Sequence, residues 1–391
     1  MKTFEITVPG SKSLTNRALI MASLADGISV IKGASKSDDS LILIKALKKL
    51  GVVITEDDNK LKVVGNNGNF KALNGRLYVG NAGTTARFLT SLIILVPGRI
   101  IIIKSKRMKI RPMKELDEAL KKIKTGKVSV RGNISSQFIS ALMMIAPVLE
   151  KGLAIKIIGK LVSRSYVDMT IDLLNKFGVN VFQHGDEFVI EKNQKLKPVV
   201  YEVEGDASGA SYFWAMAAIT GIKIRVKNIN PLSCQGDIKF VDILQKMGCF
   251  VKKNIKESWI EIQGPKLLKA VEADMNLMPD TAQTLAVVAA FAVGKTKITG
   301  LSTLRIKETD RLSAVKNELS KMKIKSEITD ESITITGGRP QKAVVKTYGD
   351  HRMAMAFAVA KSRIPELEIK NPEVVSKSFP EFWKKFRSIK A

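Results

Sequence analysis

Cysteine, histidine and aromatic side chains are scarce in this chain of 391 residues. It has two cysteines and two histidines, and Phe, Trp and Tyr together make up 6% of it. Cys234 and Cys249 form no CxxC pair and have no histidine cluster nearby, so the sequence favours neither a zinc site nor a disulfide framework. We therefore expect no metal in the function of this protein.

Acidic residues are also few in comparison with basic ones. The 37 Asp and Glu stand against 64 Lys and Arg, which gives a net charge of +27. Such an excess suits anionic partners and permits nonspecific adsorption to nucleic acid. However, the aromatic residues are not interleaved with basic ones as they are in an RNA-binding sheet. The charge therefore predicts an anionic ligand, with a nucleic-acid-binding protein as a less favoured alternative.

No apolar run in the sequence is long enough to cross a bilayer. The longest, residues 88–103, is interrupted by Pro97, Gly98 and Arg99, and the first ten residues have no apolar core of a secretion signal. We therefore expect a cytoplasmic protein. The chain is too long for one ordinary core, so two domains are expected.

One pattern of elements is written six times along the chain. A full copy has an Ala-rich apolar helix, a β-branched strand, an amphipathic helix with apolar residues at i, i+3 and i+4, and a hairpin. The second copy lacks its hairpin, the sixth ends after its second helix, and Phe4–Val8 is a strand left over at the front. The pattern predicts the order β-helix-β-helix-β-β. The predicted Ala-rich helices are Leu14–Ala25, Thr84–Val96, Ser136–Leu149, Gly209–Thr220, Thr281–Val293 and His351–Lys361.

Three copies are expected to form each domain. The first domain is predicted at residues 13–201 and the second at residues 1–12 plus 202–391, completed by the N-terminal strand. The Ala-rich helices are apolar nearly all round, which indicates that they lie buried with sheets outside. The sequence thus predicts a two-domain α/β (α+β) fold, an inside-out α/β barrel whose buried parallel helices gather their positive N-terminal ends. The cleft between the two domains is then the expected anion site.

Cations cluster at these predicted helix N-termini, where they oppose the helix macrodipole. Lys12 lies at the opening of the first helix, Arg17 one turn in, and Arg352 at the opening of the sixth. The segment Arg305–Arg311, with the sequence RIKETDR, carries three cations and two carboxylates. A solvated helical turn with an i, i+3 ion pair would explain RIKETDR alone. Because cations recur at several helix ends, and arginine suits phosphate and carboxylate, the pattern favours a site for more than one anionic group.

Eleven short motifs that span the chain resemble the 5-enolpyruvylshikimate-3-phosphate synthase family. In order they are PGSKSLTNRAL, GNAGTTAR, RMKIRP, SSQF, LVSRSY, EGDASGASYF, QGD, MPD, RIKETDR, GDHRMAM and KSFP. The resemblance implies two domains of three βαβαββ units each. It also implies transfer of the enolpyruvyl group of phosphoenolpyruvate to the 5-hydroxyl of shikimate 3-phosphate, with release of phosphate, in aromatic amino-acid biosynthesis. No cofactor is implied, and the herbicide glyphosate is an expected ligand of the donor site.

The resemblance also implies roles for individual residues. Asp280 and Glu308 are the expected acid and base, acting through a tetrahedral intermediate, and which of them moves a given proton stays open. Lys12 is expected to stabilise the departing phosphate or to shuttle a proton. The expected ligands of shikimate 3-phosphate are Lys12, Ser13, Arg17, Ser135, Ser136, Gln137, Ser163, Asp280 and Lys307. The expected ligands of phosphoenolpyruvate are Lys12, Gly83, Arg111, Gln137, Arg311, Arg352 and Lys377.

One departure and one rival bear on this interpretation. Thr303 and Leu304 stand before RIKETDR, where many family members have Asn-Trp, so the Thr303 hydroxyl is expected to replace the amide. The sister enzyme that acts on UDP-N-acetylglucosamine is the nearest alternative, but it usually carries a loop cysteine in the region matching Lys106–Arg111, where this chain has none. The expected partners are therefore the two small-molecule substrates, with no specific nucleic acid, no membrane and a monomeric chain.

Overall fold

The Ala-rich segments form helices that are buried on nearly all sides in a computed structural model, which describes residues 2–389. The chain divides into two units. The central unit comprises Gly10–Val203, and the terminal unit comprises the chain through Pro9 and from Glu204 onward.

The helices and strands are, in chain order, β1 (Thr3–Thr7), α1 (Lys12–Leu24), β2 (Ile28–Lys32), α2 (Asp38–Lys49), β3 (Val53–Asp57), β4 (Lys60–Val64), β5 (Gly75–Gly80), α3 (Gly83–Leu92), β6 (Ile100–Lys104), α4 (Lys106–Lys109), α5 (Lys114–Lys121), β7 (Lys127–Arg131), α6 (Ser136–Ile145), β8 (Leu153–Ile158), α7 (Arg164–Lys176), β9 (Phe182–His184), β10 (Glu187–Ile190) and β11 (Val200–Glu202). They continue with α8 (Ala207–Thr220), β12 (Lys223–Lys227), α9 (Phe240–Lys246), β13 (Phe250–Asn254), β14 (Trp259–Gln263), β15 (Glu272–Asp274), α10 (Ala282–Ala289), β16 (Lys295–Thr299), α11 (Arg311–Lys321), β17 (Ser326–Ile328), β18 (Ile333–Thr336), β19 (Val344–Val345), α12 (His351–Lys361), β20 (Glu368–Ile369) and α13 (Phe382–Ser388).

The sheets of both units repeat one arrangement. In the central unit their strand orders are β11-β2-β4-β3, β5-β6 and β7-β8-β10-β9, and in the terminal unit β1-β12-β14-β13, β15-β16-β18-β17 and β19-β20. The first two strands in each order are parallel, and the four-stranded sheets add an antiparallel hairpin. The two-stranded sheets belong to the second and sixth copies, as the sequence predicts.

The N-terminal strand pairs within the terminal unit. β1 lies parallel to β12, with Thr3 opposite Lys223 and Thr7 opposite Lys227. It therefore joins the sheet of the fourth copy and does not supply the strands that the sixth copy lacks. In the central unit, the matching place beside β2 is taken by β11.

The three Ala-rich helices of each unit pack against one another. Helices α1, α3 and α6 meet in the central unit, and α8, α10 and α12 meet in the terminal unit. Strand β8, for example, buries Leu153, Ile155 and Ile157 and exposes Lys156 and Ile158 on its other face. The predicted α/β class, with buried helices and outer sheets, is confirmed.

Some predicted helix bounds were wrong at the ends. Helix α6 ends at Ile145 and continues as a 3₁₀ turn, Ala146–Val148, because Pro147 has no N–H for the next intrahelical bond. Similarly, α3 tightens into a 3₁₀ turn at Ile93–Leu95. Helix α10 is preceded by a 3₁₀ turn, Pro279–Thr281.

Candidate functional site

The terminal unit gathers three carboxylates and two arginines, all largely or fully shielded from solvent, near the N-terminal ends of α10, α11 and α12. Asp280 lies in the 3₁₀ turn before α10, Arg311 is the first residue of α11, and Asp350 caps α12. Glu308 lies three residues before Arg311, and Arg352 is the second residue of α12. We call Asp280, Glu308, Arg311, Asp350 and Arg352 the arginine–carboxylate cluster.

Arg311 lies at the centre of this cluster and is only 1% exposed. Its Nε donates to Asp350 Oδ2 at 2.7 Å, its Nη1 to Asp280 Oδ1 at 3.1 Å, and its Nη2 to Glu308 Oε2 at 3.0 Å. Burial lowers the pKa of Arg311, but the three carboxylates outweigh burial and raise it. The i, i+3 pair of Glu308 with Arg311 therefore exists, but it is buried and not part of a solvated turn.

Arg352 shares a carboxylate with Arg311. Its Nη2 donates to Asp280 Oδ2 at 2.7 Å, and its backbone N–H donates to Asp350 Oδ1 at 2.8 Å. The same guanidinium approaches the Tyr212 and Ser208 hydroxyls, each at 3.4 Å. The sequence required a negative group near this cation at a helix N-terminus, and protein carboxylates are present there.

The charge state of Asp280 follows from these neighbours. Burial raises the pKa of this carboxyl, but the positive charges of Arg352, Lys307 and Arg311 outweigh burial and hold the pKa well below its usual range. Asp280 is therefore ionised at neutral pH. Its proton affinity depends on how many cations remain next to it.

Two lysines complete the set of predicted residues in the terminal unit. Lys377 Nζ lies 3.8 Å from Glu308 Oε1, and the side chains of both residues are about nine-tenths buried. Lys307 acts electrostatically on Asp280. The structure thus brings Asp280, Lys307, Glu308, Arg311, Arg352 and Lys377 together.

In the central unit, Lys12 forms a buried ion pair with Asp39. The Nζ to Oδ2 distance is 3.0 Å, and the two side chains are 11% and 4% exposed. The backbone carbonyl of Asp39 accepts a hydrogen bond from Thr85 Oγ1 at 2.9 Å. The starts of α1, α2 and α3 are therefore joined through Asp39, which the sequence analysis did not identify.

Arg17 connects α1 to two other helices of the central unit. Its Nε donates to Thr170 Oγ1 at 2.7 Å and its Nη2 to Ser140 Oγ at 3.2 Å, while Nη1 donates to the carbonyl of Ser13. The guanidinium also lies over the ring of Phe88. At 1% exposure, this predicted ligand is fixed by the scaffold.

Gln137 lies in a similar network at the start of α6. Ser135 caps this helix by accepting from the Gln137 N–H at 3.3 Å. The Gln137 side chain donates to Thr84 Oγ1 at 3.2 Å and accepts from Arg87 Nη1 at 3.0 Å. Arg87 belongs to the motif GNAGTTAR, but no role was predicted for it from the sequence. Ser136, the first residue of α6, is also buried.

Gly83 is in contact with Arg111. A Cβ on Gly83 would lie 2.5 Å from Arg111 Nη1 and 2.7 Å from Cζ, and Arg111 is 7% exposed. Gly83 does not have a positive φ, so turn geometry does not require glycine at this position. An alanine at this position would therefore have to displace the Arg111 guanidinium, which lies close to the backbone of Gly83.

Ser163 has an unusual backbone conformation. It precedes α7 with φ 54° and ψ 41°, in the left-handed region that few serines adopt, and its side chain makes no capping bond. Such strain often occurs at functional sites. Ser13, the second residue of α1, is half-buried.

Thr303 is 5% exposed, and its Oγ1 has no hydrogen-bond partner among the described residues. Buried hydroxyls usually have one. The prediction that this hydroxyl replaces an amide towards substrate stays a prediction. Among residues 2–389, no cluster of His, Cys, Asp and Glu side chains could hold a metal ion, and no helix is both long and apolar enough to span a membrane.

Comparison with known proteins gives matches along nearly the whole chain. The model of the family described as EPSP synthase (3-phosphoshikimate 1-carboxyvinyltransferase) matches residues 3–386. A 3-phosphoshikimate 1-carboxyvinyltransferase from Nostoc punctiforme is 39% identical, covering 97% of this chain and 95% of the relative. One from Hamiltonella defensa is 40% identical, with 97% and 94% covered.

Solved structures show the same fold. The EPSP synthase of Acinetobacter baumannii superposes with a TM-score of 0.80 at 24% identity, covering 99% of this chain and 96% of that one. The enolpyruvyl transferase NikO from Streptomyces tendae gives a TM-score of 0.75 at 13% identity, with 99% and 94% covered.

Proposed function

The chain belongs to the EPSP synthase family, and we propose that the residues described above carry out this family's reaction. That reaction transfers the enolpyruvyl group of phosphoenolpyruvate to the 5-hydroxyl of shikimate 3-phosphate and releases phosphate. It is a step in aromatic amino-acid biosynthesis.

The observation that carries the assignment of roles is the pair of carboxylates on one buried guanidinium. Asp280 and Glu308 are each about 3 Å from a different nitrogen of Arg311. The reaction needs one group that takes the proton of the 5-hydroxyl and another that protonates the methylene carbon of the donor. Two carboxyls that differ in their cation neighbours can hold different protonation states, as acid and base catalysis requires.

The proposed chemistry has two stages. First, the 5-hydroxyl oxygen bonds to C2 of phosphoenolpyruvate and loses its proton to one carboxylate, while the other carboxyl protonates C3, which becomes a methyl group. This gives a tetrahedral intermediate. Next, a carboxylate removes a proton from that methyl group, the C2–O bond to phosphate breaks, and the double bond forms again. Lys12 stabilises the departing phosphate or shuttles a proton.

Donor binding should change the proton affinity of Asp280. Arg352 Nη2 is 2.7 Å from Asp280 Oδ2 and helps to keep this carboxylate ionised. An anionic donor that takes over Arg352 weakens this interaction, so the pKa of Asp280 rises towards the range of an effective base. Binding of the donor thereby prepares Asp280 for proton transfer.

The remaining predicted ligands follow the same division of roles. Positive charge for the donor comes from Arg111, Arg311, Arg352 and Lys377. Gly83 leaves room for the Arg111 guanidinium close to the backbone. Acceptor binding is assigned to Lys12, Ser13, Arg17, Ser135, Ser136, Gln137, Ser163, Asp280 and Lys307, with Lys12 and Gln137 also touching the donor. The proposal includes a monomeric cytoplasmic enzyme with no specific nucleic-acid partner.

Phosphate release from phosphoenolpyruvate tests this function. We expect release with shikimate 3-phosphate, none with phosphoenolpyruvate alone, and none with UDP-N-acetylglucosamine as acceptor. Release with the nucleotide sugar instead would assign the chain to the sister reaction. No release with either acceptor, together with salt-dependent retention on DNA, would favour nucleic-acid binding.

A further inference from the structure

A buried carboxylate with no assigned role lies one hydroxyl away from Arg352. Ser208, near the start of α8, donates a hydrogen bond to Asp237 Oδ2. The same Ser208 Oγ lies 3.4 Å from Arg352 Nη2. Asp237 is 6% exposed. A chain of contacts therefore runs from Asp237 through Ser208 to Arg352 and then to Asp280.

The Ser208 hydroxyl has a single proton, and this fixes the direction of the hydrogen bonds in the chain of contacts. A hydroxyl has one proton to donate and two lone pairs that accept. If Ser208 gives its proton to Asp237, only lone pairs remain to face Arg352, and the serine accepts from the guanidinium. Arg352 Nη2 is then held between the Ser208 oxygen and Asp280 Oδ2.

The turn that carries Asp237 is hydrogen-bonded to the backbone at the N-terminus of α8. Gln235, directly before the 3₁₀ turn Gly236–Lys239, accepts from the Ala207 N–H at 3.1 Å and donates to the Gly205 carbonyl at 2.8 Å. Asp237 is not needed as the cap of α8, because Asp206 already accepts from the Gly209 N–H at 2.9 Å. Helix capping thus leaves the position of Asp237 unexplained.

The charges around Asp237 make its own ionisation sensitive to pH near neutrality. Burial raises the pKa of this carboxyl most, and the negative charge of Asp280 adds to it, as does that of Asp206 on α8. Arg352 on α12 and the Ser208 hydroxyl lower it, and the balance is a pKa of about 7. A protonated Asp237 can donate to Ser208 and so reverse the hydrogen bond.

We propose that Asp237 is a positioning residue for donor binding, which aims the Arg352 guanidinium through the Ser208 hydroxyl. This inference rests on the proposed role of Arg352 as a ligand of phosphoenolpyruvate. When the donor anion replaces Asp280 as a partner of Arg352, the Ser208 contact keeps the guanidinium in place. Asp237 does not touch the reacting atoms.

Steady-state kinetics on Asp237→Asn and Ser208→Ala test the proposal. Loss of this hydrogen bond to the charged guanidinium should raise KM for phosphoenolpyruvate by up to about tenfold. Turnover and the Kd of shikimate 3-phosphate should stay within about twofold of wild type, since Asp237 acts only through Arg352, which is proposed to bind phosphoenolpyruvate. The double variant should be no worse than the worse single variant, because both changes break one chain.

A matched control and a pH series separate positioning from a general structural role. Asp242→Asn makes the same chemical change on α9, shortly after the turn that carries Asp237, and should leave the donor KM unchanged, because Asp242 is half exposed and pairs with Lys253 at 2.9 Å. The ratio of donor KM between Asp237→Asn and wild type should fall towards one from pH 8 to pH 6, since wild-type Asp237 itself takes up a proton over this range. Using the ratio cancels the ionisation of the substrate.

Several results would overturn the role of Asp237. These are an unchanged donor KM, multiplicative effects in the double variant, or a KM ratio that does not vary with pH. If Asp237→Asn does not fold, Ser208→Ala alone decides, and it must raise the donor KM while shikimate 3-phosphate binding is preserved. Wild-type phosphate release is measured first, because its absence would refute the proposed function, whereas these results refute only the positioning role.

Discussion

Asp350→Asn should be among the most costly small changes in the arginine–carboxylate cluster. Asp350 has no exposed surface and accepts from Arg311 Nε at 2.7 Å, from Arg311 Nη2 at 3.3 Å and from the Arg352 N–H at 2.8 Å. Asparagine keeps the size of the side chain but removes its charge. Its amide nitrogen also places a donor against one of these donors.

The expected cost can be worked from these distances. Two unit charges 2.7 Å apart attract by about 6 kcal/mol at an effective dielectric constant of about 20, and desolvation offsets much of this. Breaking a buried ion pair typically costs about 3–5 kcal/mol. Because Asp280 and Glu308 still neutralise Arg311, we expect the low end, about 3 kcal/mol. In a unit of this size, that lowers Tm by roughly 6–12 °C.

Urea unfolding and donor kinetics should be measured beside a matched control, Asp310→Asn. Asp310 also caps a helix, accepting from the Ser313 N–H at 3.2 Å, and it pairs with Arg305 at 2.9 Å, but its side chain is 37% exposed. Asparagine caps a helix as well as aspartate does, so Asp310→Asn loses mainly its partly exposed ion pair and should cost no more than about 1 kcal/mol. Asp350→Asn should also raise the donor KM. The reasoning is refuted if the two variants are equally stable and have equal donor KM.

Other substitutions test individual roles. Glu308→Gln and Asp280→Asn should each lower kcat by about 10²–10⁴-fold, measured by phosphate release, and turnover near wild type would remove that residue from proton transfer. Gly83→Ala should raise the donor KM about tenfold and weaken the binding of glyphosate, because the new Cβ pushes the Arg111 guanidinium away from the donor anion. A shift of this guanidinium from about 3 to 4 Å from an anion costs about 1.4 kcal/mol at a dielectric constant of about 20. Gly221→Ala, at φ +78° with open space around its Cβ, should lower stability alone; equal effects of both variants on donor and acceptor binding would contradict the Gly83 assignment.

The buried helices could be predicted because their apolar character continues round the whole helix. Helix α8 buries twelve of its fourteen residues, including Tyr212, Phe213 and Trp214, so no solvated face interrupts the pattern. The repeat then placed the strands and the missing hairpin of the second copy. Helix ends were harder to predict because they depend on single residues such as Pro147, which turns the end of α6 into a 3₁₀ turn.

The cations of the site were also visible in the sequence, since lysine and arginine are unusual at helix N-termini. Two of their carboxylate partners, Asp39 and Asp350, were not identified from the sequence, whereas Asp280 and Glu308 were. Asp39 and Asp350 lie in or beside the first turn of a helix, where aspartate is an ordinary helix residue, and only the tertiary structure shows that they pair with Lys12 and Arg311. Asp350 pairs with Arg311 and also caps α12.

Sequence alone could not give the reason for Gly83. A turn and a close contact both favour glycine at this position, and they differ only in φ and in the neighbouring atoms. The structure favours the close contact, because Gly83 has no positive φ and the Arg111 guanidinium occupies the space of a Cβ. The role of Asp237 could not be predicted from the sequence either, because its partner Ser208 is 29 residues away in the chain.

The most direct test of the central claim is to run the reaction in D₂O and examine the product by NMR. If a carboxyl protonates the methylene carbon and a methyl proton is removed later, as proposed for Asp280 and Glu308, the enolpyruvyl methylene of the product should carry deuterium. The product should form only when both substrates are present. A product whose methylene carries hydrogen alone would contradict the addition and elimination that these carboxylates are proposed to catalyse.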